Sequence, residues 1–379
     1  MAEHLYIHVP FCDGKCHYCG FYSIVACQSV VALYSPLPAE ELGLLLEADP
    51  AALKRPATLY IGGGTPSMLG ADGLKRLADA LSRRVPLDAL EEWTVELNPA
   101  SVSPALLEAL KAIGVNRLSI GVQSFDDTTL LRIGRRHDAA AAVKAVALAL
   151  DSGFDNTGID LIAGLPGSTP ALWQATLERA LALPLKHLSV YALSLEPGTP
   201  LAVQAAKGAV MPSDEEQLAA LAQAEGVLGQ AGFGRYEISN YAIPGYECRH
   251  NLGIWRGNDY VGLGPAAASR LNRKRWTNTE DLSDYMEALG GGRRPAARQE
   301  TLDDREDATE RALFALRLSE GIDPDDVARR FPALRDQASA WEERLAGLAR
   351  HGITEKGGRR WRLTPRGREV CDAVLRELI

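Results

Sequence analysis

The sequence contains no uninterrupted apolar run approaching the roughly 18 residues that a membrane-spanning helix requires. Its longest apolar stretches are Ala-rich and broken by charge or Gly. Met1 to Cys12 lacks the basic head and apolar core of a secretion signal, so a cytoplasmic location is expected. Basic charge is in deficit: 41 Lys and Arg face 49 Asp and Glu, giving a formal net charge of −8. A polyanion is ordinarily met by positive charge, so wholesale binding to nucleic acid or to an anionic membrane is not expected. Cysteine is scarce as well. The six are Cys12, Cys16, Cys19, Cys27, Cys248 and Cys371, and three of them crowd into one short segment. A disulfide framework would spread them through a smaller secreted chain.

What is present is globular. With 379 residues, 46% of them hydrophobic, the chain has material for roughly two to three domains and a large core. Up to about residue 198, short β-rich runs alternate with Ala/Leu-rich helical stretches, the pattern of βα units around a parallel sheet. Six strands are predicted: His4 to Val9, Thr58 to Gly62, Trp93 to Leu97, Arg117 to Val122, Gly158 to Ala163 and His187 to Ala192. Helical periodicity fills the intervals, as in Leu74 to Leu81, Pro104 to Ile113, Ala139 to Asp151 and Ala171 to Leu183. Six units fall short of the eight that close a standard barrel, so the expected α/β fold is an open or partial (βα)6 barrel over 1–198.

Residues 199–300 change character. A helix is expected from Asp214 to Gln230, then a Gly- and aromatic-rich region from Gly232 to Trp276 that reads as a connecting subdomain. Gly290 to Arg298 has linker composition. In 301–379, helices near Arg305 to Leu318, Pro324 to Arg330 and Ala338 to His351 precede a hairpin, Ile353 to Leu363, and a last helix, Arg366 to Leu378. Three helices followed by a two-stranded wing give a winged-helix-like domain. The wing is basic, with Lys356, Arg359, Arg360 and Arg362 around Trp361, and is read as a solvated surface rather than a nucleic-acid contact.

The strongest chemical signal is Cys12-Asp13-Gly14-Lys15-Cys16-His17-Tyr18-Cys19, a C-x3-C-x2-C run directly after the first strand. Thiolates select iron–sulfur clusters, zinc or copper(I). A four-iron cubane ordinarily takes four Cys, so three leave one iron open to chelate the amino and carboxylate groups of S-adenosylmethionine. The plainer alternative is a zinc site completed by His8 or His17. Ligand sites of βα arrays lie at the C-terminal strand ends, where Glu96, Gln123 and Asp160 fall. Gly62 to Gly64 let the backbone approach a ligand closely. Glu96 and Arg135 match the ammonium and carboxylate of an amino acid, and Asp160 suits ribose hydroxyls. Cys27 and Cys371 read as ordinary small hydrophobes.

The cysteine spacing resembles the radical SAM superfamily. Tyr6-Ile7-His8-Val9-Pro10-Phe11, Gly62 to Ser67, Glu96 to Pro99, Gly121 to Phe125, Arg135 to His137 and Asp160 to Pro166 narrow the likeness to the family of anaerobic coproporphyrinogen III oxidase. That resemblance implies a radical SAM barrel whose [4Fe-4S] cluster is held by Cys12, Cys16 and Cys19. It places Tyr6, Tyr18, Gly63, Gly64, Thr65, Glu96, Gln123, Arg135 and Asp160 around S-adenosylmethionine. The oxidase carries a further Cys where this chain has Phe21, and Phe there resembles the HemW haem chaperone branch. His250-Asn251-Leu252-Gly253-Ile254-Trp255 resembles that branch's H-N-x-x-Y-W haem motif, with Ile254 in place of Tyr.

The resemblance therefore implies haem as a third cofactor near His250, with Cys248 as an alternative ligand, and haemoprotein acceptors such as membrane respiratory enzymes. It further implies an electron donor for the cluster and favours a chaperone over an oxygen-independent coproporphyrinogen III oxidase, leaving cleavage of S-adenosylmethionine open. On its residues alone, the His250 segment reads instead as a hydrogen-bonded His–Asn pair and a buried Trp stabilising an irregular loop. The apolar stretch Ser23 to Leu37 departs from the family, and its helix is not placed by the pattern.

Overall fold

A computed structural model describes residues 1–378. Six parallel strands form its centre: β1 (His4–Val9), β2 (Thr58–Gly63), β3 (Glu92–Leu97), β4 (Arg117–Gln123), β5 (Thr157–Ala163) and β6 (His187–Ala192). Each is followed by helical chain that packs on the outer face, as the alternating pattern predicts. Helix starts are fixed locally; Ser103, Asp126, Asp138 and Thr169 each accept a hydrogen bond from a first-turn amide.

The strands alternate, apart from Leu161 to Ala163 at the end of β5. Leu5, Ile7, Val9, Leu59, Ile61, Val95, Leu97, Leu118, Ile120, Leu188 and Val190 join the helices in one continuous apolar core. Their neighbours, His4, Tyr6, His8, Thr58, Tyr60, Glu92, Thr94, Glu96, Arg117, Ser119, Asp160, His187 and Ser189, occupy the opposite face, because successive side chains point to opposite sides of a strand. Closed eight-stranded barrels fill that interior with branched aliphatics. Here it is a polar chamber.

Residues 199–300, expected to connect two domains, extend the sheet at both edges. β7 (Gly234–Arg235) and β8 (Asn240–Ala242) continue it antiparallel beyond β6. β9 (Tyr260–Leu263) pairs parallel with β1, and β10 (Ala268–Leu271), β11 (Lys274–Asn278) and β12 (Ala296–Thr301) follow antiparallel, making twelve strands in all. Covering both edges of the barrel sheet removes open hydrogen-bonding rows. The linker-like composition of 290–298 runs into β12. A second apolar core, built from Ala312, Leu316, Trp341, Leu345, Trp361 and Val374 among others, marks the C-terminal helices and the hairpin β13 (Thr354–Gly357) and β14 (Arg360–Leu363). The final helical stretch is broken in two, Pro365–Glu369 and Cys371–Leu378. The basic wing pairs with local carboxylates: Lys356 with Glu342 at 2.6 Å, Arg362 with Glu355 at 2.7 Å and Arg359 with Asp325 at 3.2 Å.

Buried Arg270 on β10 ties the sheet to the helix Asp304–Arg317 through Asp307 and through Glu310 at 2.8 Å. The unplaced segment after the cysteines folds into two helices, Gln28–Tyr34 and Leu37–Ala48. Buried Glu41 anchors the second of these, accepting hydrogen bonds from the Gly264 amide at 2.9 Å, Asn278 Nδ2 at 2.6 Å and Tyr285 Oη at 2.8 Å. Burial pushes its carboxyl up to about 7, against those donors. The folded chain then holds a proton that the unfolded chain releases near pH 4.5, so stability falls as pH rises from 4.5 to about 7 and is level above. Chemical denaturation of wild type across that window should lose on the order of 2–3 kcal/mol that Glu41→Gln retains. Parallel curves for the two proteins would refute the assignment.

Candidate functional site

The cysteine run leaves the C-terminal end of β1 as a pinned loop. The Cys12 amide donates to the Ile24 carbonyl at 3.0 Å and the His17 amide to that of Ile133 at 2.9 Å. The Leu201 amide donates to the His17 carbonyl at 2.9 Å, and Lys15 Nζ donates to the Phe21 carbonyl at 2.7 Å. Tyr18 points away from solvent into a small apolar cluster with Leu130, Ile133, Leu165 and Leu201. All three cysteines of the motif are half-buried free thiols. Cys12 Sγ lies 3.5 Å from Thr65 Oγ1, and Arg135 Nη1 donates to Cys16 Sγ at 3.5 Å. Burial pushes the Cys19 thiol up, so a ligand that takes the thiolate supplies what the bare site lacks.

Across from the loop, Gly62 to Gly64 form a cradle that admits no side chain. A Cβ on Gly62 would lie 2.8 Å from the Glu96 carboxylate, and one on Gly64 would lie 2.6 Å from the Phe11 carbonyl oxygen. Gly63 has φ +107°, which favours glycine, and its Cβ would lie 2.6 Å from His8 Nδ1. The Gly63 amide donates to Glu96 Oε2 at 3.2 Å and Tyr60 Oη to Oε1 at 2.7 Å. Burial nonetheless raises the Glu96 carboxyl to about 7. His8 Nε2 donates to the Tyr22 carbonyl at 2.9 Å, leaving Nδ1 to accept from Tyr6 Oη at 3.1 Å.

Gln123 closes β4 at φ +70°, beside an irregular register with β5, a strained backbone of the kind found at ligand sites. Arg135 donates through Nη2 to the Gly121 carbonyl, while its buried Nε–H has no partner. Asp160 accepts from Ser119 Oγ at 3.2 Å, and burial raises its carboxyl. A cavity of about 150 Å³ opens beside Cys16, between Lys15, Asn98, Arg135 and Arg136. Glycine walls, a buried carboxylate and an orphaned guanidinium donor fit an amino-acid moiety with both charges present. His137 donates to the Val122 carbonyl at 3.1 Å, and burial lowers its imidazole to about 4. Tyr60 and Ser119, which belong to none of the motifs, orient the two carboxylates. Their place in the inward-facing alternation was the available signal.

Thr65 and Arg135 thus contact the cysteine sulfurs, Gly63 is bonded to Glu96, and Tyr6 lies mid-strand on the same chamber face, reaching this end through His8. His250, expected near haem, lies apart from the cysteine loop. It lies against Thr58 and His4 at the opposite ends of β2 and β1, roughly 16 Å below the strand tops at about 3.3 Å per residue. Only 3% of its surface is accessible. Asn258 Nδ2 donates to His4 Nε2 at 3.2 Å and to the Glu3 carboxylate at 3.0 Å, so His4 Nδ1 carries the proton that goes to Thr58 Oγ1 at 2.8 Å. The Thr58 hydroxyl then donates to His250 Nδ1 at 2.8 Å, and the His250 proton sits on Nε2. Cys248, the alternative ligand, is fully buried and donates to Glu92 at 3.4 Å, with its thiol pushed up to about 12 by burial. The structural reading of this segment is met only in part: His250 is hydrogen-bonded, but to Thr58 rather than Asn251, and the segment is the helix Arg249–Trp255 rather than an irregular loop, with Trp255 half-buried and its ring 5.4 Å from that of Phe314.

Comparison with known proteins agrees with this layout. The family model described as radical SAM superfamily matches residues 6–180, and that described as HemN C-terminal domain matches 302–370. A protein of Mycobacterium tuberculosis named "Heme chaperone HemW" is 36% identical over 99% of this chain and 94% of its own length. Its namesake from Bacillus subtilis is 33% identical over 98% of this chain and 99% of its own. Among solved structures, coproporphyrinogen III oxidase (HemN) from Escherichia coli superposes with TM-score 0.85 at 26% identity, covering 100% of this chain and 90% of that one.

Proposed function

Because the chain belongs to the radical SAM superfamily, in the HemW branch of the coproporphyrinogen III oxidase-like family, we propose that it is a haem chaperone. In this reading a [4Fe-4S] cluster is held by Cys12, Cys16 and Cys19, and S-adenosylmethionine lies in the cradle above β2, β3 and β4. The observation that carries it is kinship along nearly the whole chain with proteins named for that role, at 33–36% identity. When bound, the cluster and S-adenosylmethionine supply one-electron chemistry at the sulfonium. The chain's own groups bind and orient. Glu96 takes the ammonium, Arg135 the carboxylate and Asp160 the ribose hydroxyls. Tyr6, Tyr18, Thr65 and Gln123 line the remainder. Haem is received from solution and passed to haemoprotein acceptors in the cytoplasm or at respiratory membrane enzymes, and a separate donor reduces the cluster. Among the described residues no helix is long and apolar enough to cross a membrane.

Apolar side chains at the mouth support a tetrapyrrole cargo. Phe21 is 67% and Val25 70% exposed beside the cluster loop, and Gly20 abuts Glu196, the neighbour of half-exposed Leu195. Fully burying a Phe contributes about 1.5–3 kcal/mol, so Phe21→Asp should weaken haem binding about tenfold. The test of the function is anaerobic reconstitution followed by haem titration. A saturating, stoichiometric spectral change is expected; none would sink the reading. The fold match to coproporphyrinogen III oxidase keeps decarboxylation of coproporphyrinogen III as a second reading. Substantial protoporphyrinogen formation by the reduced, reconstituted chain would favour it.

A further inference from the structure

We propose that His250 is a positioning residue of the nucleotide cradle, holding Tyr60, and through Tyr60 the Glu96 carboxylate, from the floor of the barrel chamber. This rests on the proposed cradle, in which Glu96 takes the ammonium, and on the chaperone reading only where haem binding is compared. The ring of His250 stacks on Tyr60 with centroids 5.1 Å apart and planes at 33°, and lies 6.5 Å from Tyr6. The hydroxyl at the far end of the Tyr60 ring donates to Glu96 Oε1 at 2.7 Å. The chain of contact therefore runs from the floor to the carboxylate in two steps.

The helix that carries His250, Arg249–Trp255, is fixed to the floor of the chamber at several points. Glu92, at the start of β3, accepts from the amides of His250 at 3.0 Å and Arg249 at 2.9 Å. Gly253, one turn on, presses against His4 so closely that a Cβ would lie 2.0 Å from its Nε2. His250 and Gly253 share the face turned to the chamber, as residues three apart on a helix do. Trp255 faces the C-terminal domain, edge-on to Phe314, with the Arg317 guanidinium 5.4 Å from its ring centre. Each fixed residue of the H-N-x-x-x-W spacing that faces a neighbour thus serves the joint between barrel floor, cradle and C-terminal helices.

The consequence is read at Glu96. That carboxylate faces Asp160 and Arg117 and the hydroxyls of Tyr60, Tyr6 and Tyr191. The Tyr60 hydroxyl favours its ionised form, so loosening Tyr60 raises the pH at which Glu96 becomes competent for an ammonium.

The test uses the full, anaerobically reconstituted chain, with S-adenosylmethionine affinity measured from pH 6 to 8.5 and haem affinity by optical titration. His250→Ala should lower S-adenosylmethionine affinity about tenfold and move its pH midpoint upward, while haem affinity stays within twofold. His250→Phe keeps the stack and should restore most of the affinity. Tyr60→Phe should reproduce the loss, and the double variant should add little to it. Should His250→Ala fail to fold, His250→Phe and Tyr60→Phe decide the matter. Unchanged affinity and midpoint in Tyr60→Phe, or loss of haem with nucleotide binding intact in either His250 variant, overturns the proposal. A wild-type chain that takes up no haem overturns the chaperone reading alone, and the nucleotide titrations still decide this one.

Discussion

Replacing Cys12, Cys16 and Cys19 together by Ala should reduce iron and acid-labile sulfide in the anaerobically reconstituted chain from about four of each to background. The visible charge-transfer absorption goes with them. The three thiols leave one loop whose backbone is pinned by β1, by the β4 connection and by the chain after β6, so their spacing is set before any iron arrives. Each thiolate would hold a different iron, and no other cysteine stands ready to substitute. Cys27 is exposed on the far side of Ile24, while Cys248 and Cys371 are buried in other cores. Ala at Cys27, Cys248 or Cys371 should therefore leave iron content unchanged. Cysteine-free chain that still reconstituted four irons, or wild type that took up one zinc and no iron, would sink the cluster assignment.

Much of this site is legible without coordinates because the barrel strands and the site obey the same register. Polar residues alternate with apolar ones along most of the six strands, in segments such as His4 to Val9 and Arg117 to Gln123, β5 departing at Leu161 to Ala163. In a parallel sheet whose outer face is covered by helices, that alternation can only mean a polar interior. It would have pointed to Tyr60 and Ser119, which no motif contains. The strand limits agree with expectation to within one residue at each end. Two regions are less legible. Between Gly232 and Trp276 the strands are two to five residues long, too short to establish a period. The helix Leu37–Ala48 buries a carboxylate, Glu41, on a face that an apolar periodicity treats as solvent, because its partners lie more than 220 residues away in sequence. His250 differs in kind. Its motif reads as a ligand by residue type, whereas the fold buries it beside Thr58 and Tyr60 at the barrel floor, which no spacing announces.

Glu96→Gln should weaken S-adenosylmethionine binding by about 2–5 kcal/mol, or some thirtyfold to several thousandfold, since it leaves a buried ammonium facing a neutral amide. The pH profile distinguishes this from a simple change of shape. In the wild-type chain without nucleotide, desolvation holds the Glu96 carboxyl near 7, well above its ordinary 4.5. An ammonium binds the carboxylate and not the acid, so below that midpoint each pH unit costs about tenfold in affinity, and above it the affinity levels off. Wild type should therefore bind about tenfold more weakly at pH 6 than at pH 8. Gln cannot titrate, so the variant should be weak and flat across the same range. Asp160 carries a raised carboxyl too, but it faces the ribose end and accepts from neutral hydroxyls of Ser119 and Ser189. Asp160→Asn should therefore lower affinity and keep a titrating profile, its midpoint moved downward because the Asp160 charge helps to raise the Glu96 carboxyl. A flat wild-type profile would mean that Glu96 is ionised throughout, and that the ammonium is paid no desolvation by this residue; a midpoint that vanished in Asp160→Asn instead would assign the ammonium to Asp160.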